Sequence, residues 1–390
     1  MEVVLNAVLW LIWAILFFNV VYMVIYAIPG LFYGKETYPI AEKKLKFAIF
    51  IPAYKGDEVI LNTAAVTLLQ NYPKDKFDVI VIADSLQPES LIKLGSMAVR
   101  TVEVKFENST KGKSLNAAIE AVRDTEYDYA IILDIDNIVE DGFLEKINSA
   151  LQKGQQILQA HRLAKNEDTK FSILDAVSEE INNHIFRKGH KQLGLSAALI
   201  GSGIAIKYPL FEDIMSKITA VGGFDKQMEV LVISRGIVID YANEILVYDE
   251  KVQGPEIFQN QRKRWMSAQI TFMRKYALKG MLDSFKTGNV DYFDKSFQLI
   301  LLPRLICLGV TFVFSLLWLT GTDIGNAFMY IFLVQIVALS ISTPIKFYNF
   351  GTIKALISLP YGFVLMFVNL FKLRGADKKF IHTPHSAKKS

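Results

Sequence analysis

Val3–Ile28 is a run of 26 residues without a charged side chain. As a helix it is long enough to cross a hydrocarbon core of about 30 Å. No lysine or arginine precedes it, whereas Lys35, Lys43, Lys44 and Lys46 follow it. Positive charge on the trailing side places the next segment in the cytoplasm. A cleaved signal peptide would want a basic start and a shorter apolar core, so residues 1–30 are expected to be a membrane-spanning helix.

The far end is apolar too. Phe297–Leu319, Ile324–Ser342 and Thr352–Phe371 are three further candidate membrane segments. Thr320–Asp323 lacks lysine and arginine and should lie outside; the connection with Lys346 and Lys354 should lie inside. Lys372, Arg374, Lys378, Lys379, Lys388 and Lys389 place the tail inside as well. Both inside assignments hold only if the last segment does not cross fully. Pro360-Tyr361-Gly362 would break it into a re-entrant hairpin. The expected layout is a membrane helix over 1–30, a cytoplasmic domain over 45–270, an amphipathic interfacial region over 271–296, membrane segments over 297–372 and a basic tail over 373–390. The net charge of +4 is modest, and no nucleic-acid partner is expected. The single cysteine, Cys307, excludes an intrachain disulfide.

In the middle, short apolar runs alternate with helical patterns. Leu45–Ile51, Phe77–Ala83, Val102–Phe106 and Ala130–Leu133 read as strands. Helices are expected from Glu58 to Gln70, around Glu89–Gly95 and from Ser114 to about Val122, with Ser109–Lys113 as a loop. This alternation predicts a largely parallel, doubly wound α/β sheet. Ala130–Asn137 reads AIILDIDN, an apolar strand running into Asp134 and Asp136. In an extended chain residues i and i+2 point the same way, so both carboxylates would face one metal-bound polyanion. Mg²⁺ and Mn²⁺ favour oxygen ligands shared with phosphates. Asp84 follows the strand Phe77–Ala83, and strand ends share a crevice in such sheets. His161, His184 and His190 lack metal-ligand spacing and read as structural or surface residues.

The order IPAYKGDE, Asp84, KGKSLNAAI, DID, GSG, GGFD and QRKRW, with membrane segments at both ends, resembles the membrane-bound family-2 glycosyltransferases. That group includes cellulose, chitin and hyaluronan synthases and ceramide glucosyltransferases. The resemblance covers roughly Phe47–Gln269 and implies a GT-A-type nucleotide-sugar-binding domain with a doubly wound mixed sheet.

It further implies roles for individual residues. Pro52, Ala53 and Tyr54 would line the nucleoside pocket, with Glu58 at the end of that turn counted among the donor-binding residues. Asp84 would contact the base and ribose. Lys113 and Asn116 match a Lys-x-x-Asn near the donor. Asp136 would bind the divalent ion, Mg²⁺ or Mn²⁺, and Asp134 the donor ribose or sugar. Asp225 matches the general base, although Phe224 replaces the family's usual Glu and Glu229 is a rival. Gln261, Arg264 and Trp265 match Gln-x-x-Arg-Trp. Arg264 would pair with the diphosphate, while Gln261 and Trp265 would hold the acceptor with Gly201 and Ser202. Phe380, Thr383 and His385 resemble a gating segment, with His385 in place of the usual Lys or Arg.

The implied activity is inverting, metal-dependent transfer of a sugar from a nucleotide-sugar, most simply UDP-linked. The acceptor is a polysaccharide or oligosaccharide at the cytoplasmic face. Single transfer to a lipid or lipid-linked acceptor is the alternative enzyme reading. A catalytically silent assembly or export subunit is the alternative of a different class, and an export or oligomer partner is compatible with either. A transporter is disfavoured, because Arg304 is the sole candidate for a charge buried in the middle of a span.

Overall fold

The computed structural model describes residues 2–373. Phe380, Thr383 and His385 lie outside the described residues.

Eight strands form one sheet. They are β1 (Phe47–Tyr54), β2 (Phe77–Asp84), β3 (Arg100–Val104), β4 (Tyr129–Ile132), β5 (Ile138–Val139), β6 (Ile157–Ala164), β7 (Ile204–Lys207) and β8 (Asp240–Asp249). Their order is β3-β2-β1-β4-β7-β6-β8-β5. The β1–β4 half is parallel throughout. β7 runs antiparallel between β4 and β6. β8 is parallel to β6, and β5 is antiparallel to β8. The sheet is therefore doubly wound and mixed. The continuous apolar runs of β1 and β2 are buried on both faces, as a helix-covered parallel sheet requires. Phe50, Ile80 and Ile132 face one core, and Phe47, Ile49 and Val81 face the other.

Among the described residues, two helices are long and apolar enough to cross a membrane, Glu2–Gly30 and Asp323–Ile341. The first packs on the His184–Gly189 segment of the sheet domain as well as on Asp323–Ile341. Tyr22 and Tyr26 both donate to Asp294, at 2.8 and 2.6 Å, and Asp294 also meets buried His190 at 3.1 Å. Gly189 allows this approach: a Cβ there would lie 2.1 Å from the Tyr26 carbonyl oxygen.

Two of the expected membrane segments are built differently. Phe297–Leu319 is not one helix. Val290–Gln298 ends, a turn intervenes, and Arg304–Ser315 begins after Pro303 and tightens into 3₁₀ geometry over Leu316–Thr320. Pro303 lacks an N–H and restricts the residue before it, so a helix cannot run through. The last segment breaks earlier than expected: it bends by 41° between Phe350–Leu356 and Leu359–Phe371, as a broken span or a re-entrant loop does, and Pro360 opens its second half rather than interrupting it. In the expected interfacial region, Leu278, Leu282, Phe285 and Val290 are exposed apolar residues.

Candidate active site

A cavity of about 1330 Å³ lies at the carboxyl ends of β1, β2 and β4 and extends between the closing helices. Pro52, Ala53, Tyr54, Asp84, Asp134, Asp136, Gly201, Asp225, Gln261, Arg264 and Trp265 all line it. Tyr54 and Asp84 sit side by side in register on β1 and β2. The residues after them, Lys55 and Ser85, have φ of 50° and 60°. Two non-glycine residues in the left-handed region cost about 1–3 kcal/mol each, and such strain concentrates at functional sites. Asp84 is buried; its Oδ1 accepts from Ser85 Oγ at 3.0 Å, while its buried Oδ2 has no partner. A buried carboxylate oxygen without a donor suits a ligand hydroxyl or N–H.

Asp134 and Asp136 reach the cavity by another route than strand alternation. β4 ends at Ile132, and the two aspartates sit in a turn closed by Asn137 N–H to Asp134 O at 3.1 Å. Asn137 Oδ1 accepts from the Asp134 N–H at 3.0 Å, and its Nδ2 donates to Asp249 Oδ1 at 3.1 Å. The Lys111 ammonium donates to Asp134, and to Gly201 O at 2.7 Å. Burial pushes the Asp134 carboxyl up, but Lys111 and then Arg162 more than offset this and hold it below the usual range. Asp136 Oδ2 accepts from the Glu250 N–H at 3.1 Å.

Beneath lies a buried ion network. Arg162 meets Glu179 at 2.9 Å, Asp249 at 3.6 Å and Asp134 at 3.9 Å; Lys251 meets Glu179 and Asp249 at 3.0 Å each. Burial opposes charge on Glu179, yet Arg162 and Lys251 keep its carboxyl well below the usual range. The oxygen donors around Asp136 suit a hard divalent ion. Among the described residues, no three acidic, histidine or cysteine side chains converge to cage one, so substrate oxygens would have to complete its shell, as Mg²⁺ sites commonly use.

Across the cavity, Asp225 lies in the first turn of Phe224–Ile233. Gly201 takes φ 68°, a left-handed conformation that favours glycine, and its missing Cβ would stand in ordinary contact with Asp225 Oδ2, at 3.7 Å. Burial pushes the Asp225 carboxyl up, opposed by Lys226 and assisted by Glu229. The rival Glu229 is held the other way. Burial raises it, but Lys226 and Lys295 prevail, and its Oε2 accepts from the Leu199 N–H at 2.7 Å. Arg264, on Pro255–Phe272, is disfavoured as a cation by burial and supported by Asp134 and Asp225, so its charge stands within reach of both acids. Gln261 presents a buried Oε1 without a partner, and Trp265 is 39 % exposed.

Several expected site residues fall elsewhere. Lys113 is exposed and donates to Asn108 O at 3.0 Å, while Asn116 donates to Met215 O at 3.1 Å; neither lines the cavity. The loop expected over Ser109–Lys113 is in fact the start of helix Lys111–Ala121, capped by the Thr110 side chain, which turns Lys111 inward and Lys113 outward. Thr110 before a helical pattern is a readable cap signal. Glu58 is exposed in the first turn of Asp57–Leu68 and does not line the cavity. Ser202 is fully buried behind Gly201 and also does not line it. Lys111, Arg162, Asn137 and Asp249 were not identified from sequence; the last three lie on elements distant from any motif except DID. His161, His184 and His190 are buried on Glu180, Ala27 O and Asp294 respectively, in packing roles.

No curated protein sequence matches the chain. Among solved structures, it is similar to the mannosyltransferase PcManGT from Pyrobaculum calidifontis in complex with GDP-Man and Mn²⁺. The TM-score is 0.54 at 12% identity, over 93% of this chain and 98% of that one. It is also similar to S. aureus TarS 1-349 in complex with UDP-GlcNAc, with a TM-score of 0.41 at 14% identity over 86% and 91% of the two chains. At these identities the first likeness is one of fold, and the second carries no weight. The family model described as "Glycosyltransferase like family 2" matches residues 45–268, more than half of the chain; the chain belongs to the family-2-like glycosyltransferases.

Proposed function

We propose that this chain is an inverting, divalent-metal-dependent glycosyltransferase working at the cytoplasmic face of a membrane. The observation that carries the reading is one cavity lined by Asp84, Asp134, Asp136, Asp225 and Arg264. The donor is a nucleotide-sugar, most simply UDP-linked. Asp84 Oδ2 takes a donor from the nucleoside. Asp136 would hold Mg²⁺ or Mn²⁺, which would supply charge neutralisation to the leaving diphosphate. PcManGT is described with GDP-Man and Mn²⁺, which supports a metal-assisted donor site. Lys111 fixes Asp134 for the donor ribose or sugar, and Arg264 offers its planar fork to the phosphates.

Asp225 takes the proton of an acceptor hydroxyl. That oxygen attacks the anomeric carbon opposite the diphosphate, which leaves with the bonding pair. A carboxyl raised by burial is a stronger base than a solvated one, which suits the task. Trp265 offers a flat face to an acceptor sugar and Gln261 Oε1 accepts from one of its hydroxyls, favouring a polysaccharide or oligosaccharide end. Transfer to a lipid-linked acceptor is a second reading, favoured by the cavity's continuation along Leu305, Leu339 and Met366 of the closing helices. The intact acidic set argues against a silent subunit.

The test is UDP release from a panel of UDP-sugars with Mg²⁺ or Mn²⁺, with product size read from the same tubes. Metal-dependent release with one sugar, lost in Asp136→Ala and Asp225→Asn, is expected. Equal release by Asp225→Asn and parent would remove Asp225 as the base. No turnover with a folded, nucleotide-binding protein in added membrane lipid would favour the silent-subunit reading.

A further inference from the structure

Arg262 and Arg304 bring two further cations to the end of the cavity nearest the closing helices. Both line it, and they stand within electrostatic reach of each other. Arg304 Nη2 donates to Ser178 O at 2.9 Å and Ser178 Oγ at 2.8 Å, while its Nη1 is buried without a partner. Among the described residues Arg304 has no ion-pair partner. Arg262 Nη2 pairs with Asp175, its Nε is buried without a partner, and its guanidinium lies 4.2 Å from the Trp265 ring centre and 5.0 Å from that of Phe258. The other acid on this wall, Glu179, is occupied by Arg162 and Lys251.

Like charges brought together with buried N–H groups unsatisfied are costly unless an anion rich in oxygen joins them. Arg304 also opens the helix Arg304–Ser315, whose amino-terminal amides favour an anion. Just beyond it the wall is apolar: Leu305, Leu308, Leu339, Phe347, Ile353 and Met366 line the cavity from the helices that close the chain. Two of these segments meet the length and hydropathy of membrane spans, the bent pair counted as one. An anion held here with a hydrocarbon chain attached would have that chain led away from the aspartates and along apolar walls.

We propose that Arg304, with Arg262, binds the phosphate of a membrane lipid, whose polar head points towards Trp265 and Asp225 and whose chain lies between the closing helices. This rests on the second acceptor reading above: the lipid is the carrier of the hydroxyl that receives sugar. Arg304 grips the phosphate through the N–H that is otherwise unsatisfied, and Arg262 shares it while remaining on Asp175.

The test is native mass spectrometry of the detergent-purified protein with dioleoyl phosphatidylglycerol, with dioleoylglycerol, and with glycerol 3-phosphate as competitor. The parent is expected to retain the phospholipid and not dioleoylglycerol, and millimolar glycerol 3-phosphate should not displace it. Arg304→Gln should lower retention by roughly tenfold or more, the loss expected for a charge-assisted contact. Arg304→Lys should retain an intermediate amount and decides the matter if Arg304→Gln does not fold. Equal retention by parent and a folded Arg304 variant, or equal retention of dioleoylglycerol, would overturn the site. Displacement by glycerol 3-phosphate would assign it to a free phosphate and overturn the lipid. UDP binding in the same preparations, with Asp225→Asn beside them, keeps the donor and base roles separate: their failure would leave lipid retention intact.

Discussion

Two aspartates share one cavity and are pushed in opposite directions. Asp134 sits against Lys111 and Arg162 and is held below the usual carboxylate range. Asp225 is half-buried; the loss of hydration at its carboxyl outweighs Lys226 and the weaker pull of Lys111, and it is raised. Neither result follows from the residue type or from distance along a motif. The difference comes from which elements deliver cations: the helix Lys111–Ala121 and β6 to one wall, and none of comparable effect to the other. A pair of acids so separated fits the proposed division between a charged ligand-holder and a proton acceptor.

The sharpest break in this comparison is Asp225→Asn. It should lower kcat by about 10²–10⁴-fold while donor affinity, measured by calorimetry, stays near that of the parent. If affinity falls and kcat does not, the two acids have been assigned the wrong way round.

Lys111→Met removes the main support of Asp134. Donor affinity should fall about tenfold or more, and Asp134 should titrate at higher pH. The acid limb of donor binding, followed by fluorescence or calorimetry, should then move upward in pH. An unmoved limb would show that Arg162 alone sets Asp134.

Catalysis should fall as pH drops through the raised Asp225 value, because only the ionised form accepts a proton. The acid limb of kcat should therefore lie above the ordinary carboxylate value of about 3.9, and above the limb for donor binding. Coincident limbs would collapse the contrast.

Stability gives the smaller effects. Gly189→Ala places a methyl against the Tyr26 carbonyl and should cost about 1–3 kcal/mol, as overpacking does, read as a lowered Tm in detergent. Smallest of all, Asp225→Asn should raise Tm slightly at neutral pH. The folded state favours the protonated carboxyl, so this group's contribution is lost as pH rises through its raised value; the amide removes that loss. Asp134 behaves oppositely, contributing above the ordinary carboxylate range and losing its contribution only as pH falls through its depressed value.

Most of the first half of the sheet was legible, because β1, β2 and β4 are buried on both faces and read as unbroken apolar runs. The motif residues Asp84, Asp136, Asp225 and Arg264 were legible as a set through their order in the chain. The Lys-x-x-Asn match with Asn116 points to Lys113; the Thr110 cap starts the helix at Lys111 rather than at Ser114, and it is Lys111 that reaches Asp134. Arg162, Asp249 and Lys251 could not be found from local pattern. They matter only because β6 and β8 pair in parallel across a bulge at Ala160/His161, a long-range event with no local signature. Pro303, by contrast, was readable and went unused; it divides the segment expected over Phe297–Leu319.

The latch among Tyr22, Tyr26, His190 and Asp294 joins residues 168 and 272 positions apart for its Tyr22 contacts. During synthesis the first helix emerges long before either partner. Its two tyrosine hydroxyls must meanwhile be satisfied by water or headgroups, and the catalytic domain must form its 184–190 turn before the helix can settle against it. Closing a loop of that length comes late and slowly. Final seating of the first helix therefore waits on distant sequence: translation has to pass residue 294 before Glu2–Gly30 reaches its mature position.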